Sequence, residues 1–468
     1  MNRGNRLLTS IAVVVFAAAI AVPVAIAQTP SGPTPKSAQS AKRFQRMGNV
    51  FQRYASQQAP TTADCEAAFQ VACYAPFQLQ KAYRFNPLYK NGLNGKGSTI
   101  AIVDSFGSPT IQQDLAQFDT DFGLPAPPSL RVIHPAGAPP PFDPTDDDMV
   151  GWAYETTLDV EWAHALAPGA KILLVETPVS ETEGLVGIPE MIKSENFVIK
   201  HNMADVISQS FGATEETFPS SFSIMQQRSA FQNAAQNGVS VLAATGDEGP
   251  TSYQTDLEHL YTFPVVGWPG SDPLVTAVGG TQLHLDANGN RTAPDNVWND
   301  SFNPNVAGPE PSAIAGGSGR SHVFARPNYQ DRVRGVVGSA RGQADISMSG
   351  ACDGGVLVYV SFVTEETGYH VICGTSESTP EFSSVVAIAA QQAGHGLGLL
   401  NPTLYNLSHQ RSKGLVDVTR GDNTVTFTQD GQTFTIPGDA AGRGYDLPTG
   451  VGTPNAKALV RALANNAG

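Results

Sequence analysis

Positive charge is scarce in this 468-residue chain, where 28 Lys and Arg stand against 42 Asp and Glu for a formal net charge of −14. Phosphate binding needs clustered cations, so this balance argues against nucleic acid as a partner. It is compatible with work in acid, where protonation of carboxylates shrinks the charge. Cysteine is rare as well, with four in all, and neither Cys-x-x-Cys nor His-Glu-x-x-His spacing occurs, so nothing points to a zinc site. Beyond the N-terminal stretch no run of ~18 apolar residues follows, so no later segment reads as a membrane span.

The N-terminus is the exception. Arg3 and Arg6, an apolar run over 11–21 and Ala25-Ile26-Ala27 before Gln28 read as a secretory signal over 1–27. Pro23 and the Ala-x-Ala ending weigh against a membrane anchor. The expectation is an extracellular protein, free of the membrane once the signal is removed. Disulfides persist in that compartment. Four cysteines allow three pairings; Cys65 with Cys73 and Cys352 with Cys373 close the shortest loops and are favoured. Residues 28–60, rich in Gln, Ser, Ala and Pro, look like a linker, and 28–75 is assigned to a short pro-segment or linker.

From about Pro76 the texture changes. Short β-branched runs at 99–103, 171–175, 206–208, 239–243 and 274–278 alternate with helical periodicity at 111–122, 150–166 and 221–237, and a further helix is expected at 380–393. This alternation predicts one α/β domain over 76–468, a mostly parallel sheet with helices on both faces. Such sheets carry their ligands beyond the carboxyl ends of the strands.

Gly374-Thr375-Ser376 precedes Pro380 and a small-residue helical run. A serine at a helix mouth sits where free backbone N–H groups stabilise developing negative charge, although Ser and Thr also serve there as ordinary caps. Glu155 and Asp159 stand four apart and share a helix face. Such pairs usually belong to a solvated acidic face. Here Trp152, Tyr154, Leu158, Val160 and Trp162 surround them, as on a buried helix, and acids on a buried helix need a reason. Asp247 ends the apolar run Val241-Leu242-Ala243-Ala244 at a Thr-Gly turn, as a site residue or a plain turn residue. Near the C-terminus, Asp417-Val418 and Gly442-x-Gly444-x-Asp446 offer two carboxylates and close-wrapping backbone, which suits calcium or a surface turn.

In their order and joint presence, several segments make the chain resemble the sedolisin family of serine-carboxyl peptidases from about Gln78 to Asn455. They are 97–107, Glu155–Lys171 with the Ala167-Pro168-Gly169-Ala170 turn, 208–212, Gly246-Asp247, Ser271-Asp272-Pro273 with 278–281, 374–380 and the C-terminal loop. The resemblance implies a subtilisin-like fold and an endopeptidase working in acid through an acyl-enzyme. Ser376 would be the nucleophile, Glu155 its general base, Asp159 the residue orienting Glu155, and Asp247 the oxyanion-hole acid. One structural Ca2+ would be held by the side chains of Asp417 and Asp446 and the main-chain oxygens of Val418, Gly442 and Gly444. Ser210, Phe211 and Gly212 would pair with an extended peptide, and the partner is a peptide or protein met by a monomer. The family usually carries a long folded propeptide, and fewer than fifty residues separate the expected cleavage site from Pro76.

Three rival readings share some of these features. A Ser-His-Asp subtilisin would use Asp104 and a His-Gly-Thr segment, but none of the nine histidines precedes Gly-Thr, and His164 reads as structural. A catalytically inactive calcium-binding protein on the same scaffold would keep the loop and lose the chemistry. A glycosidase built on Glu155 and Asp159 would need them to flank a bond, whereas adjacent turns of one helix put them on one side.

Overall fold

The computed structural model describes residues 58–466, together with the backbone of a strand at Asn49–Tyr54. The expected signal peptide and most of the expected linker lie outside the described residues.

The central sheet has eight strands. In chain order they are β1 (Thr99–Ser105), β2 (Leu130–Ile133), β3 (Lys171–Thr177), β4 (Val206–Gln209), β5 (Ser240–Ala244), β6 (Thr276–Gln282), β7 (Asn296–Val297) and β8 (Ile346–Ser349). The spatial order is β7-β6-β5-β4-β1-β3-β2, with β8 also pairing β6. All pairs are parallel except β6 with β7.

Side chains alternate across the strands and feed two cores. Ile100, Ile102, Ile172, Leu174 and Leu242 face one side, against α2 (Asp147–Leu166) and α5 (Thr375–Ala393), after α1 (Ile111–Phe122) in the chain. Ala101, Val103, Leu173, Val175 and Val241 face the other, against α3 (Ile188–Lys200) and α4 (Ser229–Asn237). Helices on both faces of a parallel sheet are the architecture expected from the sequence.

Three local expectations shift. The helix expected over 221–237 is two, Ser221–Gln227 and α4, broken at Arg228, whose guanidinium donates to Asp272 at 2.5 and 2.9 Å. The helix expected from Pro380 begins at Thr375, so Pro380 lies inside it. The domain start expected at Pro76 falls inside packed structure: Thr62–Phe69 is a helix, and Cys65, Cys73 and Tyr74 belong to the main core. The Cys65–Cys73 disulfide and an Ala72 N–H bond to Asp353 (2.9 Å) tie this segment down. Cys352 and Cys373 form the second disulfide, so both bridges follow the shortest-loop pairing.

Candidate active site

The acidic helix comes first. Asp146 caps α2, its Oδ1 accepting from the N–H groups of Asp148 and Met149 at 2.9 and 3.3 Å. From Met149 to Leu166 every residue of α2 is buried. Glu155 and Asp159 are therefore carried into the interior, at 1 % and 0 % exposure. They lie beside α5, to which the Ser384 hydroxyl pins α2 through the Ala163 carbonyl at 2.9 Å.

Gly374 turns the chain into α5 at φ 131°, a conformation suited to glycine. A Cβ there would also lie 2.5 Å from the Asp247 carboxylate, so any other residue would push this acid away. Ser376 follows in the first turn, where backbone N–H groups have no intrahelical acceptor. Pro380, four residues on, has no N–H to give the Ser376 carbonyl. The Ser210 hydroxyl, just past β4, reaches that carbonyl at 3.4 Å and donates to Asp159 Oδ1 at 2.9 Å. A single side chain thus ties the nucleophile's backbone to the acidic pair.

Asp247 follows β5, where the sheet's parallel strands end. Its Oδ1 accepts both the backbone N–H (2.7 Å) and the hydroxyl (2.9 Å) of Thr375, leaving Oδ2 over Gly374. Burial pushes its pKa up to about 6 against the pull of those two donors.

The acids perturb one another. Burial holds Glu155 well above the usual carboxylate range, and the charges of Asp104 and Asp247 add to this. The hydroxyls of Ser376 and Ser210 oppose it by favouring the charged form. Burial, then the charges of Asp104 and Glu155, raise Asp159, and the Ser210 hydroxyl opposes them. Two such carboxylates cannot both ionise cheaply and titrate as a pair. Asp104, fully buried near the end of β1, is a third member, pushed up to about 7 by burial. The sequence had marked Asp104 only as a possible partner for a histidine. Its position at a strand's carboxyl end was the available signal, and its proximity to α2 was not readable. No Lys, Arg or His among the described residues forms an ion pair with any of these four acids.

An open cavity lies between Ser376 and Asp247 at one end and the segments after β4 and β5. Ser210, Phe211 and Gly212 all line it, and the Ser210 hydroxyl is also engaged with Asp159. No histidine lines it, and His164 lies instead against Asp119 (3.1 Å) and the Pro125 carbonyl (2.8 Å). Sequence reasoning had not singled out Thr375, which holds Asp247, or Glu183 and Glu248, which line the cavity.

The C-terminal acids come together around one glycine loop. Both Asp417 oxygens accept the Gly444 N–H at 3.1 Å, and Asp446 accepts the Gly442 N–H (3.0 Å) and the N–H and hydroxyl of Thr449 (3.0 and 2.8 Å). Burial, with Asp417's charge as a smaller contribution, pushes Asp446 up to about 6. Two acids that form no ion pair with Lys, Arg or His among the described residues, set in a glycine-bearing loop, fit a hard oxygen-seeking cation. No group of three or more His, Cys, Asp or Glu that could hold a metal occurs among the described residues, so such an ion would rely on main-chain oxygens.

Residues 148–415 match the subtilase family. Kumamolisin of Bacillus sp. (strain MN-32) is 33% identical over 403 residues, covering 84% of this chain and 64% of its own. Human tripeptidyl-peptidase 1 is 28% identical over 330 residues, covering 66% of this chain and 52% of its own. The chain thus spans between about half and two thirds of the length of these curated relatives. Among solved structures, Pseudomonas sedolisin, a serine-carboxyl proteinase complexed with two molecules of pseudo-iodotyrostatin, superposes with a TM-score of 0.69 at 25% identity, covering 85% of this chain and 100% of that one.

Proposed function

Because this chain belongs to the subtilase family, in its serine-carboxyl (sedolisin) branch, we propose that it is an endopeptidase that cleaves peptide bonds in acid through an acyl-enzyme on Ser376. The observation that carries this reading is the buried Glu155–Asp159 pair, tied through the Ser210 hydroxyl to the backbone of Ser376.

The Ser376 hydroxyl attacks the peptide carbonyl carbon and passes its proton to Glu155. An isolated carboxylate with a pKa near ~4 is a weak base for this step, and burial beside Asp104 and Asp159 strengthens it. Asp159, held by the Ser210 hydroxyl one helical turn from Glu155, fixes the orientation of the base. The oxyanion meets two donors, the Ser376 N–H of the first helical turn and protonated Asp247. Glu155 then returns the proton to the leaving amine, and water releases the acyl group by the same route in reverse.

The pH dependence follows from opposite needs. Asp247 donates only while protonated, and its pKa is about 6, so activity falls as pH rises through that value. Glu155 accepts only while ionised, so activity also falls at the acid end, giving a bell.

The same reading includes one structural calcium ion held by the side chains of Asp417 and Asp446 with main-chain oxygens of Val418, Gly442 and Gly444, neutralising the two carboxylates. It also includes an extended peptide along Ser210, Phe211 and Gly212, and action outside the cell by a monomer. Two disulfides support the extracellular setting, and no helix among the described residues is long and apolar enough to cross a membrane.

A proteolysis assay on denatured casein from pH 3 to 8, comparing the wild type with Ser376→Ala, tests the reading. Cleavage in acid, declining through pH ~6 and abolished by the substitution, is expected. Activity confined to neutral pH, or surviving Ser376→Ala, would overturn it.

A further inference from the structure

The cavity beside Ser376 carries a charge pattern that the proposed mechanism does not use. Besides Asp247, two acidic side chains line it, Glu183 and Glu248, and no Lys, Arg or His does. Among the described residues neither glutamate forms an ion pair. Glu183 is nonetheless held in one orientation. Its Oε2 accepts the Thr214 N–H (2.7 Å) and the Thr217 hydroxyl (3.0 Å), and its Oε1 accepts the Thr214 hydroxyl (3.1 Å). Glu248 Oε2 accepts the Asp247 N–H at 3.3 Å. Phe211, Val265 and Val266 give part of the wall an apolar face, and Thr245, Thr251, Ser252 and Tyr253 line more of it. A site with an apolar wall and an oriented pair of acids matches a long aliphatic stem tipped with a cation.

We infer that this cavity receives a Lys or Arg side chain from the residue whose carbonyl Ser376 attacks, with Glu183 as its ion-pair partner and Glu248 as the second acid. The inference rests on the peptidase reading above and adds the substrate class. A basic side chain brings the only positive charge into a cavity that supplies none. A leucine would cover the same acids without compensating them, and buried polar groups left unpaired are what reject the wrong substrate most strongly.

Proton linkage sharpens the consequence. Burial pushes Glu183 up to about 7, against its three hydrogen-bond donors, with Glu216's charge adding to the rise. Burial and the charges of Asp247 and Glu183 raise Glu248. The groups facing Glu183 are thus Glu216, itself paired with His322, together with Glu181, Glu248 and the Tyr261 hydroxyl. Below that pKa, a cationic side chain must displace a proton from Glu183 to solvent as it binds. Preference for arginine over an uncharged isostere therefore increases with pH across the acid range, by up to about tenfold per unit.

Three fluorogenic peptides identical except for Arg, citrulline or Leu at the attacked residue test this with the full chain, at intervals from pH 4 to 6. The expected result is kcat/KM at least ~10-fold higher for Arg than for citrulline at pH 6, a ratio that shrinks toward pH 4, and a fall in that ratio of about tenfold or more in Glu183→Gln. Glu183→Asp should retain part of the preference. If a variant fails to fold, the wild-type ratio and its pH slope decide alone. Wild-type cleavage of citrulline or Leu peptides as fast as the Arg peptide at every pH overturns the basic-residue inference and leaves the peptidase reading standing. So does an Arg/citrulline ratio that Glu183→Gln does not change. Cleavage of none of the three peptides, with denatured casein also intact, overturns both.

Discussion

Two pairs of carboxylates in this molecule look alike in sequence and differ in what surrounds them. Glu155 and Asp159 lie four apart on α2, and Glu377 and Glu381 lie four apart on α5. All four are buried and have raised pKa values, with burial as the largest cause. The first pair faces the Ser376 and Ser210 hydroxyls beside an open cavity. The second faces inward, where Ser349 favours the charged forms and neither glutamate lines the cavity. Burial alone therefore makes a carboxylate reluctant to ionise; a nucleophile and an opening make that reluctance useful. A third pair, Asp417 and Asp446 in the C-terminal loop, is less buried and is the one that a cation would relieve.

The sharpest break of this comparison is catalytic. Glu155→Gln should lower kcat/KM by about 10²–10⁴, the usual worth of a positioned acid–base group. Glu381→Gln, on the second pair, should leave it within about threefold. Equal losses from the two, measured on one peptide, would erase the distinction.

The next effect is on stability. Glu377 and Glu381 have folded-state pKa values raised above those of the unfolded chain. Their contribution is fully present below the unfolded value, near ~4.3, and is lost as pH rises toward the folded values. The protein should thus be most stable in acid and lose stability toward neutrality. Glu377→Gln with Glu381→Gln should flatten the fall in Tm between pH 4 and 7, with about 1 °C recovered for each kcal/mol restored at pH 7 in a domain of this size. A double variant whose Tm falls as steeply as the wild type would show that these acids are not the cause.

The smallest effect belongs to the third pair. Removing calcium with a chelator should lower Tm by a few degrees, roughly as loss of a weak to moderate site would. Asp446→Asn should abolish that sensitivity, read by calorimetry with and without added Ca2+. A chelator response of equal size in the variant would place the ion elsewhere.

Much of the fold was legible because a buried parallel sheet writes itself as apolar runs separated by helical periodicity, as at 99–103 and 171–175. The acid pair on α2 was legible for the same reason, since Trp152, Leu158 and Trp162 marked its helix as buried. Local patterns misled where a connection overrode them. Pro380 suggested a helix start, yet Gly374 already turns the chain and α5 accommodates the proline by leaving the Ser376 carbonyl to Ser210. The segment before Pro76 looked like a linker, but a disulfide folds it into the core.

By itself the sequence determined which residue types are present, their spacing on each helix and strand, and which elements must be buried. Tertiary structure alone decided that Asp104 joins Glu155 and Asp159, that Thr375 holds Asp247, and that Glu183 and Glu248 look into the same cavity as Ser376. The reason is physical: periodicity reports which side of an element is buried, whereas convergence of acids from separate strands depends on sheet order and helix packing, to which no local pattern is sensitive.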